Sequence, residues 1–170
     1  EESVRLHIKI LTNPNINIDD MIVSMQRVYE AVGIRVHRAS TENLNLPALN
    51  DLDVDDCPLG PSSVTPEQTQ LFANRNNAVP TDVVVYFVRS TVPPSFGCAS
   101  YPAGSPSAVV AQGATVWTFA HEIGHVLNLR HVNDNNRLMT ENSTANITNP
   151  PPDLISTEVI SMRKSILTHK

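Results

Sequence analysis

His121-Glu122-Ile123-Gly124-His125-Val126-Leu127-Asn128-Leu129-Arg130-His131 holds three of the chain's six histidines. On a helix, side chains four residues apart stack one turn above each other on the same face. His121 and His125 can therefore aim two imidazole nitrogens at a single ion. Glu122 stands next to the first of them, within reach of a water on that ion but not bound to it. His131 is six positions beyond His125, too far round for the same helix to present it. The helix must end and the chain must turn back, so that a third nitrogen arrives from another direction. Three protein donors leave one tetrahedral position open, which is the arrangement of a catalytic zinc ion rather than a structural one. The reading is one catalytic Zn2+ and metal-assisted hydrolysis, with peptide bonds as the expected target. An amphipathic core helix with incidental histidines is the alternative, and it does not account for a third His at this offset.

HEIGHVLNLRH resembles the extended zinc signature of the metzincin clan of metalloendopeptidases, His-Glu-x-x-His-x-x-Gly-x-x-His followed by a Met-turn. The resemblance implies that His121, His125 and His131 are the metal ligands and Glu122 the general base. It also implies that Met139, in Arg137-Leu138-Met139-Thr140, is the Met-turn residue, an apolar floor beneath the metal. Its distance of eight residues from His131 is similar to the spacing in matrixins, and a matrixin- or pappalysin-like subfamily is the expectation. One position departs from the pattern: Asn128 stands where the family has Gly. The family's Gly serves a helix end with positive φ, and Asn is the next most tolerant residue there. Asn128 should keep the turn at small conformational cost. No Tyr follows Met139 as in many metzincins; the tyrosines are Tyr29, Tyr86 and Tyr101.

The expected chemistry is proton abstraction by Glu122 from a zinc-bound water attacking the scissile carbonyl, with delivery to the leaving amine.

With 170 residues and 41% apolar content, the chain is sized for one catalytic domain with a real core. A net charge of −5 argues against nucleic acid as a partner. No apolar run reaches the length of a membrane span. The chain opens on Glu1-Glu2 without a charged-then-apolar leader, so a signal or pro-segment is expected to be removed or left out. A secreted monomer acting on protein or peptide substrates in extended conformation is the expectation.

Outside the motif, Val4 to Leu11 alternates apolar and polar residues, the pattern of a half-buried strand. Asn17 can cap a helix with Asp19 and Asp20 in its first turn, and Gly33 closes it. Ile34 to Ala39 reads as a second strand. Thr65-Pro66 opens a short helix through about Asn74. Val83 to Val88 is apolar throughout, as a central buried strand is. Ser107 to Gln112 reads as a further strand, and Thr115 can cap the helix of His121. Ser156 can cap a last helix with Val159, Met162, Ile166 and Leu167 on one face.

This order is similar to the α+β metzincin domain. It implies an α/β/α-like upper subdomain over about 1–128, with a twisted mixed sheet and the active-site helix. A small irregular lower subdomain over about 129–170 ends in a helix. By the same resemblance, Ser107 to Gln112 would be the sheet edge above the cleft, with the main chain of Val109, Val110 and Ala111 binding substrate. The loop from Thr140 to Pro152 would shape the pocket beside the scissile bond.

Cys57 and Cys98, an even pair in a chain of secreted type, are expected to form a disulfide. The acidic run Asp51, Asp53, Asp55 and Asp56 has oxygen-ligand character, and Ca2+ is conceivable there, but it lacks a fixed loop spacing; a solvated turn is the simpler reading. Asn142-Ser143-Thr144 and Asn146-Ile147-Thr148 match glycosylation acceptors. His7, His37 and His169 are read as strand-face or surface residues. A binding or adhesion module on the same scaffold, and a protease limited to self-processing, are the competing functions.

Overall fold

Strand β1 (Glu2–Ile10) runs through the interior with a parallel neighbour on each side. It is followed by α1 (Ile18–Tyr29), β2 (Ile34–Asn43), β3 (Asp51–Asp53), β4 (Gly60–Pro61), α2 (Pro66–Phe72) and β5 (Val83–Val88). Then come β6 (Ser90–Val92), β7 (Gly97–Cys98), β8 (Ser100–Tyr101), β9 (Ser107–Ala111), α3 (Thr118–Val126) and α4 (Ser156–Arg163). This computed structural model describes residues 2–148, 150–165 and 167–169. The main sheet has the order β2-β1-β5-β9-β7, with four parallel strands and β7 antiparallel at the end. Two short parallel pairs, β3 with β6 and β4 with β8, complete the strands. The architecture is α+β.

Adjacent residues of a strand face opposite sides of its sheet, and two aromatic pairs use this to place the helices. Phe87 of β5 meets Phe119 of α3 at 5.5 Å, whereas its neighbour Tyr86 meets Phe72 of α2 at 5.3 Å. Helices α3 and α2 therefore cover opposite faces. Helix α1 lies with α3, and the Tyr29 hydroxyl donates to the Ala120 carbonyl at 2.7 Å. Asn17 caps α1 as its sequence predicts, accepting from the Asp19 amide at 2.7 Å. Thr65 and Gln68 form a reciprocal capping box on α2.

β1 is not half-solvated. His7 and Lys9 are as buried as the apolar residues between them, because the 73–82 segment covers their face. Each carries its partners inside. His7 bridges the Ser40 hydroxyl at 2.6 Å and the Asp82 carboxylate at 2.8 Å. The Lys9 ammonium donates to the Glu42 carboxylate at 3.2 Å and to the Asn76 carbonyl at 3.0 Å. Burial of a charge is tolerable only with such pairing. Burial pushes the Asp82 carboxyl up, but bonds from His7 and the Val79 amide outweigh it and hold it below the ordinary range.

The C-terminal helix also differs from its expectation. Ser156 is the first helical residue rather than the cap, and the Glu158 carboxylate reaches back to the Ile155 amide at 3.1 Å. The helix ends at Arg163, so Leu167 lies past it; Ile166 is outside the described residues.

Cys57 and Cys98 form a disulfide across 41 residues, tying the 44–61 connection to β7. Loop-closure entropy assigns such a crosslink about 4 kcal/mol. Urea unfolding of the Cys57→Ala/Cys98→Ala variant should show a loss of that order, and an unchanged midpoint would remove the crosslink from the stability of the fold.

Candidate metal centre

Helix α3 is buried along its whole length, so the two histidines it carries cannot swing freely. It starts after Trp117 without a side-chain cap; Thr115 lies further upstream, its hydroxyl accepting from the Trp117 amide at 3.3 Å. At the other end Asn128 takes φ 78°. Its amide donates to the His125 carbonyl at 3.1 Å, and the Leu129 amide donates back to Gly124 at 2.9 Å. These two bonds make a Schellman turn with Asn128 at the left-handed position, where only Gly and Asn are readily tolerated. The turn carries the chain round and delivers His131, as the sequence predicts for Asn128.

The three imidazoles meet. Nε2 of His125 lies 3.1 Å from Nε2 of His121 and 3.0 Å from that of His131, and the remaining separation is 3.2 Å. Nδ1 of His121 donates to the Leu138 carbonyl at 2.7 Å, and Nδ1 of His125 donates to the Leu129 carbonyl at 2.8 Å. A carbonyl can only accept, so each Nδ1 holds the proton and each Nε2 is a bare lone pair. Burial lowers His121 to about 4 and His125 to about 3, so both rings are neutral at physiological pH. Burial also lowers His131, with the Glu141 charge opposing it. Lone pairs at this spacing repel unless a cation sits among them. Nitrogens in a tetrahedral zinc shell are about 3.3 Å apart, given Zn–N of about 2.0–2.1 Å. The donor set fits a zinc ion. Among the described residues it is the one grouping of three or more His, Cys, Asp or Glu side chains placed to hold a metal.

Glu122 lies next to the triad, buried, and burial raises its carboxyl to about 8. An opposite charge among the imidazoles would reverse part of that rise. The carboxylate packs on Gly97 of β7. A Cβ there would fall 2.8 Å from both the Glu122 Cγ and the Val109 carbonyl. Gly97→Ala is therefore expected to displace the base or the strand, lowering turnover at least about ten-fold while zinc content holds. Metal analysis beside a rate assay checks this; full activity would show that the close approach is dispensable.

Met139 is fully buried and its sulfur sits beneath Gly124, 2.5 Å from where a Cβ would be. Its carbonyl accepts from Val132 at 2.9 Å, and the preceding Leu138 carbonyl orients His121. The segment that follows His131 is thus folded back under the ligands.

A cleft of about 720 Å³ opens over the triad, with Glu122, Phe96, Gly97, the Cys57–Cys98 disulfide, Thr118 and Glu141 in its walls. Of the β9 residues expected to bind substrate, Ala111 lines this cleft whereas Val109 and Val110 do not, and none of the three lies at the edge of the sheet. They are buried, with β5 on one side and the β7 segment on the other: Cys98 pairs with Val109, Gly97 with Val110, and the Ala111 amide donates to the Phe96 carbonyl at 2.8 Å. The outer strand is β7. Two paired residues are too few for a periodic signal, although a Gly in a strand is itself a mark of close approach. None of the three tyrosines lines the cleft. Asp51 of the acidic run is engaged by Arg89 and Ser90, which hold its carboxyl well below the usual range.

No family model matches the sequence, and no curated protein does. The fold does have solved counterparts. Metalloproteinase-II from Bacteroides fragilis superposes with a TM-score of 0.68 at 16% identity, over 94% of this chain and 52% of that one. The chain thus spans about half the length of that protein. The archaemetzincin from Methanopyrus kandleri matches with a TM-score of 0.60 at 16% identity, over 95% of this chain and 94% of the other. The archaemetzincin from Archaeoglobus fulgidus, in complex with malonate, gives 0.55 at 17% identity over 92% and 99%. The chain shares the fold of these proteins. The matches lend no support to a matrixin or pappalysin assignment.

Proposed function

We propose that this chain is a secreted zinc-dependent endopeptidase that hydrolyses extended peptides. The observation that carries the reading is the convergence of three imidazole Nε2 atoms, two of them left proton-free by their Nδ1 bonds, beside Glu122 in an open cleft. The shared fold with proteins described as a metalloproteinase and as archaemetzincins supports it. The disulfide supports an extracellular setting.

His121, His125 and His131 would hold one zinc ion. When bound, zinc supplies Lewis acidity and brings a water's pKa towards neutrality. Glu122 accepts the proton of the attacking water and returns it to the leaving amine; the raised basicity of a buried carboxylate suits that role. An extended peptide would align along the outer edge of β7, displacing the Ser95 hydroxyl that now bonds the Gly97 amide at 3.3 Å and carbonyl at 2.8 Å. Met139 forms the apolar floor in the manner of a Met-turn. The chain is read as one catalytic unit, a monomer, with its upper part ending near Asn128.

The test is a casein and gelatin panel, with zinc content measured in parallel. Cleavage that is lost on chelation and restored by zinc supports the reading. Stoichiometric zinc without cleavage of any substrate would make the chain a binding module instead. Cleavage confined to its own precursor would make it a self-processing enzyme.

A further inference from the structure

Glu141 is held where it can read a substrate's charge. Val132 and Thr140 form a parallel bridge, in which the Val132 amide donates to the Met139 carbonyl and the Glu141 amide donates to the Val132 carbonyl, both at 2.9 Å. The bridge sets His131 and Glu141 diagonally across it, near enough for the Glu141 charge to act on His131, and Glu141 lines the same cleft as the triad. The residue is exposed. Among the described residues its carboxylate has no hydrogen-bond or ion-pair partner, in contrast to the cleft's Arg89, which is clamped by Asp51. The cleft thus offers incoming chains an open anion and a cation already neutralised.

We propose that Glu141 is a specificity-determining residue that selects peptides placing an alkylammonium or guanidinium group beside His131. The assignment rests on the peptidase reading of the same cleft. A charge-assisted hydrogen bond in a partly shielded groove is worth about ten- to hundred-fold in preference. Two sources can supply the cation, a Lys or Arg side chain or a free amino terminus.

The test uses zinc-loaded wild type, Glu141→Gln, Glu141→Lys and Glu141→Asp, with matched peptides carrying Lys, norleucine or Glu at each position near the cut. Each peptide is made with a free and an acetylated amino terminus. Wild type should prefer the cationic peptides at least ten-fold in kcat/KM, expressed in KM. Glu141→Gln should flatten that preference, Glu141→Lys should invert it, and Glu141→Asp should retain it. Preference is read as the ratio of kcat/KM on lysine and norleucine peptides for each enzyme at equal zinc content, so a general change in rate cancels. Loss of preference on acetylation assigns the amino terminus as the source; persistence assigns the side chain. A charge-blind wild type, or an unchanged preference in Glu141→Gln, would overturn the proposal. Calorimetric binding of the same peptides separates the two readings. Charge-selective binding that Glu141→Gln abolishes, with no turnover, removes the peptidase reading and supports the role of Glu141. Charge-independent binding overturns that role.

Discussion

Glu122→Gln is expected to leave zinc content and thermal midpoint unchanged while cutting turnover by about 10²- to 10⁴-fold. Glutamine keeps the volume and the packing of the side chain against Gly97. It cannot take up the proton of an attacking water. The change is thus confined to proton transfer, and a simple loss of packing would not reproduce it, because the midpoint would then fall as well. Turnover within a few-fold of wild type would remove Glu122 from the chemistry and leave the triad without a base.

His125→Ala is the second large effect. It deletes one of three donors and the bond from Nδ1 to the Leu129 carbonyl, at the turn that delivers His131. Loss of groups that merely orient a ligand costs 10- to 100-fold in metal affinity. Loss of a ligand together with its orienting bond should exceed about 100-fold. Dialysed protein should come away without zinc, and activity should return only at much higher zinc concentration. His7→Ala is the control. It leaves the buried Asp82 carboxylate short of a partner and should cost about 1–3 kcal/mol of stability, with zinc content unaltered. Equal zinc retention by His125→Ala and wild type would disprove the three-imidazole centre.

What the sequence made legible was local. The i, i+4 histidines, the terminating Asn128 and the capped α1 are all encoded within one or two helical turns. What it hid was non-local. Lys9 looks like a solvent-facing strand residue until Glu42 and Asn76 are brought to it by folding. His7 depends on Asp82, 75 positions away. The resemblance alone made Ser107 to Gln112 an edge, because β7 gives no alternating pattern and its position is set by pairing and by the Cys98 crosslink. Ser156 is a reasonable cap by residue type, but the Glu158 carboxylate already serves the Ile155 amide. Glu141 went unread because its significance is a matter of which wall it stands on.

The bond between Cys57 and Cys98 bears on where such a chain can work. Two residues of ladder are a weak fastening for the segment that leans on Glu122, and a covalent pin makes up the difference. In thiol-rich surroundings His121, Glu122 and His125 would keep their places on α3, while the β7 segment that packs on Glu122 would loosen. On the proposed function, an oxidising milieu would be a condition of activity alongside the ion.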